Sequence, residues 1–189
     1  QRRRLDTVTL NSVLVEDYGY DANGNRDSQT NTFRSISSQS AGFNDADQLV
    51  SDGAASYTYD ADGYLQTKTV GTDVTTYTYE TRGRLKQVVT PTKTISYRHN
   101  AMGNRVARLV DGTVVEKYLW LDKTTLLATY DESDDLKQRF EYTDSHVPDS
   151  YTQDGNTYYI VKDHLGSPRA VTDSSGNVLR KISYDSFGN

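Results

Sequence analysis

The 189-residue chain contains no cysteine, only three prolines and one tryptophan. Without cysteine there are no disulfides, no thiolate catalysis and no cysteine-ligated metals. No stretch approaches the roughly 20 apolar residues that a membrane-spanning helix needs, and no charged-then-apolar signal peptide opens the chain. We therefore expect no membrane insertion by this segment.

Acidic residues outnumber basic ones, 26 to 21. The net charge of -5 and the calculated pI near 5.2 leave no basic surface for nucleic acid, and the one cationic run, Arg2 to Arg4, lies at the N-terminus where water can solvate it. We expect no nucleic-acid binding. Because the chain does not begin with methionine, we also expect a fragment of a longer protein whose export signal could lie elsewhere.

Tyrosine is abundant instead. The chain has 15 tyrosines and 4 phenylalanines, and its hydrophobic fraction is only 34%. A buried tyrosine needs a partner for its hydroxyl group, so the sequence predicts a thin, amphipathic core.

One tyrosine-rich motif recurs. The stretch YTYDADGYL, Tyr57 to Leu65, returns twenty residues later as YTYETRGRL. We interpret Asp60 as the first residue of a type I β-turn centred on Ala61 and Asp62, with Gly63 in the positive-φ position that follows. This is the geometry of a short hairpin loop with a β-bulge.

The motif continues along the whole chain at a period near twenty residues, and a degenerate copy at 43–50 has Asp47 in place of the glycine. Such a period is typical of stacked repeats, and twenty residues suit one β-hairpin. The turn glycines are Gly24, Gly63, Gly83, Gly103, Gly166 and Gly188.

Secondary turns lie between these, at Gly53, Gly71, Gly112, Gly155 and Gly176. The runs between turns are rich in Val, Thr, Tyr and Ile, and no window shows a helical apolar stripe. We predict an all-β chain of antiparallel hairpin repeats. Within it, Asp131 to Gln138 is a polar hairpin loop, and the apolar run Leu119 to Leu121 suggests a strand covered on both faces.

A calcium-binding function for the turns can be tested by spacing at two positions. A calcium-binding EF-hand loop that begins at Asp60 needs a carboxylate at its twelfth position, which is Gly71; one that begins at Asp21 reaches Thr32. Both fail, although weak cation binding at stacked turns stays open. We favour turn chemistry.

The three histidines offer no catalytic pattern. His99 stands where the repeat has tyrosine and should pack on the sheet, His146 lies in a loop, and His164 follows Asp163 without any strained nucleophile motif nearby. We therefore expect no catalytic, metal-binding or cofactor-binding residue and no cofactor.

The tyrosine rows have two interpretations. Aromatic pairs across neighbouring strands hold hairpins in register, whereas exposed aromatic rows can stack on sugar rings. We favour cross-strand packing, and we note that Tyr, Thr and Ser together would make a weakly adhesive, hydrogen-bonding wall if one face lined a cavity.

The units YxYDxxGxL and YxxNxxGNRV resemble YD repeats, also called Rhs repeats. Residues 1–116 match these repeats. Residues 117–189 are similar to the Rhs repeat-associated core, with YLWLD, YYIVKDHLGSPRAVTDSSGNV and YDSFGN as landmarks in order. The resemblance covers essentially the entire chain and includes bacterial Rhs toxins, the C component of Tc toxins and the animal teneurins.

This resemblance implies a β-strip wound in a spiral into a hollow, β-solenoid-like shell that encloses a C-terminal toxin in the toxin members. It implies a non-enzymatic segment whose partners are the toxin cargo and adjoining shell segments, in a protein that is secreted or on the bacterial cell surface. The family's self-cleavage segment follows the YDSFGN region, so no autoprotease residue is carried over onto this chain. The alternative is a cell-surface adhesion module that binds carbohydrate.

Overall fold

The computed structural model describes residues 4–143 and 146–189, and these form eighteen β-strands in which every described pairing is antiparallel. The all-β prediction is therefore confirmed. Arg2 and Arg3 of the cationic run lie outside the described residues. The strands are β1 Thr7–Leu10, β2 Val13–Gly19, β3 Ser28–Asn31, β4 Ile36–Phe43, β5 Leu49–Asp52, β6 Ala55–Tyr59, β7 Leu65–Val70, β8 Asp73–Tyr79, β9 Leu85–Val89, β10 Thr94–His99, β11 Arg105–Val110, β12 Thr113–Trp120, β13 Leu126–Tyr130, β14 Leu136–Glu141, β15 Ser150–Gln153, β16 Asn156–Lys162, β17 Pro168–Thr172 and β18 Val178–Lys181.

The chain divides into two compact units. Unit 1 comprises Gln1–Tyr77 with Asp185–Asn189, and unit 2 comprises Thr78–Tyr184. Strands β1 to β8 pair in consecutive order, each with its neighbour in the chain. Strands β9 to β18 pair in the same way. This division does not test the boundary between repeats and core at 116/117, which stays a prediction.

Two kinds of turn recur between the strands. Tight two-residue turns, such as Asp111-Gly112 with φ of 49° and 85°, place both residues in the left-handed region as a type I′ hairpin requires. Longer Asp-x-x-Gly turns join the other hairpins, and the strand register shifts beside them, for example between Thr58 and Tyr59. The predicted hairpin with a bulge is thereby confirmed, with two strands in each twenty-residue repeat.

The buried residues are few and as often polar as apolar. Unit 1 buries Val15 and Tyr18 beside Glu16 and Asn31. Unit 2 buries Ala107, Leu109 and Ala128 beside Asn104, Thr129 and Ser150. The thin, amphipathic core that the composition predicts is present in both units. The described residues contain no helix with the length and apolarity to cross a membrane.

Two local predictions are wrong. The polar loop expected at Asp131 to Gln138 is shorter, because β14 begins at Leu136 and continues through Gln138. The run Leu119 to Leu121 is not covered on both faces, since these two leucines are 47% and 67% exposed. The strand β12 ends at Trp120, and Leu121 already belongs to the next turn, which faces water.

Candidate functional site

The repeated turn is built around one carboxylate. At Asp60, the side-chain Oδ1 accepts the backbone N–H groups of Asp62 at 3.0 Å and Tyr64 at 2.9 Å. The backbone carbonyl of Asp60 accepts the N–H of Gly63 at 3.0 Å, and Gly63 has a φ of 85°. The predicted turn, with glycine in the positive-φ position, is confirmed. The Oδ1 oxygen of Asp60 is thus occupied by backbone amides.

The same turn forms where the motif is degenerate. At 43–50, the Oδ1 of Asn44 accepts the N–H groups of Ala46 and Gln48, and Asp47 takes the glycine place with a φ of 56°. A further copy that the alignment of turn glycines misses begins at Asp131, with Asp134 in the glycine place at a φ of 68°. Aspartate tolerates this conformation better than most residues, so the fold survives the missing glycine.

Turn hydrogen bonds also set the electrostatics. The side-chain amide of Asn177 and backbone amides lower the pKa of Asp173, and the backbone amides of Thr124 and Thr125 lower the pKa of Asp122. A carboxylate that accepts several N–H groups is stabilised in its charged form. These aspartates are therefore structural anions.

Asparagine should replace aspartate in this turn at little cost. Asp60→Asn keeps an acceptor oxygen, as Asn44 and Asn100 do in their own turns, so we expect a loss below about 0.5 kcal/mol in the free energy of unfolding. Asp60→Ala leaves two backbone N–H groups without their partner and should cost about 1–2 kcal/mol. Denaturant unfolding followed by circular dichroism measures both. Equal losses would contradict the role given to the acceptor oxygen.

The turns should also make the chain resistant to mild acid. Asp21, Asp163 and Asp185 also have lowered pKa values, through hydrogen bonds from their own turns. A lowered pKa stabilises the fold above the ordinary aspartate value near 3.9, and that contribution is lost as the pH falls through the lowered value. We expect the urea midpoint to stay constant from about pH 7 to 5 and to fall below about pH 4. A steep fall between pH 7 and 5 would refute this.

The aromatic residue at the end of a repeat strand ties its turn to the one before. The Tyr59 hydroxyl donates to the backbone carbonyl of Leu49 at 2.8 Å. Leu49 lies just after the preceding turn, two residues beyond Asp47, which takes the glycine position of that turn. The same contact recurs as Tyr20 to Leu5, Trp120 to Arg105, Tyr142 to Leu126 and Tyr184 to Pro168, at 2.6 to 2.9 Å.

We call these five contacts the tyrosine staples, although Trp120 replaces tyrosine in one of them. They explain why the motif combines an aromatic residue with a turn aspartate. The aspartate closes one turn, and the aromatic residue near it satisfies a carbonyl of the previous turn. A staple such as Tyr59 to Leu49 joins the paired strands β5 and β6 at the open end of their hairpin, and so links the turn before the hairpin to the turn after it. Sequence reasoning missed the staples because a backbone carbonyl carries no signature in the sequence.

The favoured interpretation of the tyrosine rows holds in unit 2. Phe140, Tyr151 and Tyr158 lie directly opposite one another on β14, β15 and β16. Their ring centroids are 6.2 Å and 5.0 Å apart, the second pair stacked. Such pairs fix the register of neighbouring strands.

The histidines lie in three different settings. The side chain of His99 is 7% exposed, with Nδ1 3.1 Å from Oε1 of Glu80, so it packs on the sheet as predicted. His146 lies near Thr124, and His164 is exposed in its turn. The Asp163 carboxylate is bonded to backbone amides and to Arg169, so it does not orient His164. Residues 4–143 and 146–189 contain no cluster of three or more His, Cys, Asp or Glu side chains with the geometry for a metal ion.

Unit 2 contains one open cleft that the sequence did not indicate. Its volume is about 500 Å³. The indole N–H of Trp120 is bonded to the Arg105 carbonyl, and the Arg105 guanidinium lies 4.1 Å from the Tyr97 ring centroid. The lining residues are His99, Gly103, Asn104, Arg105, Tyr118, Trp120, Lys123 and Leu126.

The geometry can now be set beside known proteins. The model of the Teneurin YD-shell family matches residues 2–189. The chain belongs to this family. The expected relationship to YD repeats is thereby confirmed, and the Asp-x-x-Gly turns with their staples are the YD units of this chain.

Several relatives and one solved structure are similar to this YD-shell chain. It is 31% identical to the tRNA3(Ser)-specific nuclease WapA of Bacillus spizizenii, over 98% of this chain and 8% of the relative, and 26% identical to mouse Teneurin-3, over 98% and 7%. The chain thus spans less than a tenth of these curated relatives. The crystal structure of TcdB2-TccC3 superposes with a TM-score of 0.54 at 16% identity, over 92% of this chain and 12% of that one, which supports the fold alone.

Proposed function

We propose that this chain is a non-catalytic segment of a YD shell that encloses and protects a C-terminal toxin in a longer, secreted or surface-located bacterial protein. The observation that carries the proposal is the chemistry of the turns. Turn carboxylates such as Asp60 accept backbone amides, and five strand-end aromatic residues donate to a neighbouring carbonyl, whereas Glu80 pairs instead with Arg84 and His99. The groups most capable of catalysis therefore hold the sheet together. The similarity to a WapA nuclease supports the toxin setting.

One face of unit 1 suits a wall that does not grip its cargo. Small hydroxyl side chains lie directly opposite one another there, and the Thr58 and Thr67 hydroxyls are hydrogen-bonded at 2.6 Å. These hydroxyl pairs are uncharged and contain no large apolar group, so they do little to hold a cargo or to discriminate between cargos of different charge. The cross-strand pairs are Ser28 with Ser40, Ser51 with Ser56 and Thr58 with Thr67.

Limited proteolysis of the whole natural protein tests the proposal. If the shell encloses its C-terminal domain, that domain should resist protease at concentrations that degrade the same domain expressed alone, and mild denaturant that opens the shell should abolish the protection. Equal degradation of the enclosed and isolated domains would refute the shell function. The nuclease or other activity of the isolated domain serves as the control that it is folded.

A second candidate, a carbohydrate-binding adhesion module, is favoured by the unit 2 cleft. Trp120 and Tyr118 offer aromatic surfaces, and Arg105 and His99 offer polar groups, a combination typical of small-ligand sites. A glycan array probed with the chain and with Arg105→Gln tests it, with Arg98→Gln on the same sheet as control. Specific binding that only Arg105→Gln abolishes would favour adhesion, and no binding would favour the shell.

A further inference from the structure

Two turns of the chain differ by one residue but have different surroundings. Asp173–Asn177 reads DSSGN and Asp185–Asn189 reads DSFGN. In both, the aspartate Oδ1 accepts the N–H groups two and four residues ahead at 2.9 to 3.0 Å, and the glycine φ values are 83° and 84°. The backbone geometry of the two turns is therefore the same, so a difference in docking comes from the one side chain that differs, Ser175 or Phe187, and from what surrounds it.

The DSFGN turn is docked on β2 and β3 of unit 1. Asp185 is 9% exposed, and its Oδ2 accepts the side-chain N–H of Asn31 at 3.1 Å; Asn31 itself is fully buried. The backbone N–H of Ser186 points between the two carboxylate oxygens of Glu16, 3.3 Å from each. For the DSSGN turn, the hydrogen bonds of Asp173 among the described residues all stay inside the turn.

Phe187 makes the contact that the DSSGN turn cannot make. Its ring packs edge-on against Tyr18, with centroids 4.8 Å apart, and the Arg26 guanidinium lies 4.4 Å from its centroid. Ser175 holds the same position in the other turn and is exposed. Aromatic pairs and cation–π contacts are both attractive, so the Phe187 ring adds two contacts that a serine in its place does not make.

The site on β2 and β3 is preorganised. Glu16 is 2% exposed, and Tyr18 donates its hydroxyl to Oε2 of Glu16 at 2.6 Å. Burial and the Glu16 carboxylate raise the pKa of Tyr18 to about 12, so this hydroxyl stays a donor throughout the physiological range. The Oδ1 of Asn31 accepts the backbone N–H of Arg34 at 3.1 Å, which fixes the amide that meets Asp185. A buried polar set with these partners has one geometry, as recognition of a ligand requires.

We propose that β2 and β3 carry a binding site for a hairpin turn of the form Asp-Ser-Phe-Gly-Asn, and that Phe187 is the residue that selects this turn over the others of the chain. Glu16 recognises the N–H after the aspartate, Asn31 recognises the aspartate, and Tyr18 with Arg26 recognises the ring. The site is filled by the chain's own turn and can take the same turn from solution when its own is weakened. This holds whether or not the chain encloses a toxin.

The full 189-residue chain with Phe187→Ser tests the selection, because this change gives the last turn the sequence of the undocked one. We expect the amide of Ser186 to exchange with solvent at least tenfold faster by NMR, with the exchange of Ser175 unchanged. The matched control is Ser175→Phe, which should alter neither turn's exchange. Unchanged protection of Ser186 in Phe187→Ser would overturn the proposal.

A peptide titration tests the site itself. The capped peptide Tyr-Asp-Ser-Phe-Gly-Asn, added to the Phe187→Ser chain, should restore the wild-type NMR shifts of Asn31, and the peptide with Ser in place of Phe should not. Equal effects of the two peptides, or no effect of either, would refute recognition of the ring. Should Phe187→Ser fail to fold, Phe187→Leu keeps an apolar contact without the ring. It should show partial loss of Ser186 protection, and full wild-type protection would count against the proposal.

Discussion

Gly103→Val should destabilise the chain by about 2–4 kcal/mol. Gly103 has a φ of 96°, a conformation in which a β-branched residue is a strained outlier. A Cβ added there would lie 3.1 Å from Nη1 of Arg84. That guanidinium cannot move freely, because it pairs with Glu80 at 2.7 Å and donates to the Asn100 carbonyl at 3.3 Å. The cost of backbone strain and the cost of displacing the ion pair therefore both lower the free energy of unfolding.

Gly71→Asn is the matched control for this prediction. Gly71 also has positive φ, 60°, but a Cβ there meets no heavy atom within 4 Å. Asparagine tolerates the left-handed region, so we expect a change below about 0.5 kcal/mol. Urea unfolding of both variants gives the comparison. A Gly103→Val variant as stable as Gly71→Asn would mean that the turn can adopt another conformation, and the turn geometry described here would be wrong.

Tyr59→Ala should cost about 2–3 kcal/mol, and Tyr59→Phe about 1 kcal/mol. The phenylalanine variant keeps the half-buried ring and loses only the hydrogen bond to the Leu49 carbonyl. The alanine variant loses the ring as well, and with it the contact between successive turns. Urea unfolding measures both losses. The loss in Tyr59→Phe gives the contribution of the hydrogen bond, and the additional loss in Tyr59→Ala gives the contribution of ring packing.

Tyr159→Phe controls for the loss of a hydroxyl group as such. Tyr159 is 47% exposed and forms no tyrosine staple. We expect a change within about 0.5 kcal/mol on unfolding. If Tyr59→Phe changed the free energy of unfolding as little as Tyr159→Phe, the hydroxyl-to-carbonyl contact would contribute nothing, and the role given to the staples would be wrong.

The hairpins could be predicted from the sequence because each depends on local chemistry. Aspartate followed three residues later by glycine specifies the turn at Asp60 without reference to any other part of the chain. The register shift beside that turn follows from the loop length. The alternation of tyrosine and threonine then predicts which residues share a face.

What escaped prediction depends on residues far apart in the sequence. Glu16 and Asn31 look like ordinary polar strand residues, and only their contacts with the turn at Asp185 explain why they are buried. The turn at Asp131 was predicted only as a longer polar loop and was not recognised as a copy of the motif, because Asp134 replaces the glycine. The exposure of Leu119 and Leu121 was missed because an apolar run alone does not show where a strand ends.

The shell proposal gains from the same physics. A sheet whose turns use their own carboxylates needs no metal to hold it, and staples between successive turns let the repeats be added one after another. Each repeat adds about the same stabilising contacts, so a longer array gains stability in proportion to its length.

An experimental structure of the chain, determined in the presence of millimolar calcium, tests the central claim most directly. The claim is that the turn aspartates hold backbone amides and the strand-end aromatics hold the preceding turn. The expected result is Oδ1 of Asp60 at hydrogen-bond distance from the amides of Asp62 and Tyr64, and the Tyr59 hydroxyl at hydrogen-bond distance from the Leu49 carbonyl. A calcium ion bound to Asp60 in place of those amides, or a Tyr59 hydroxyl turned to solvent, would contradict it.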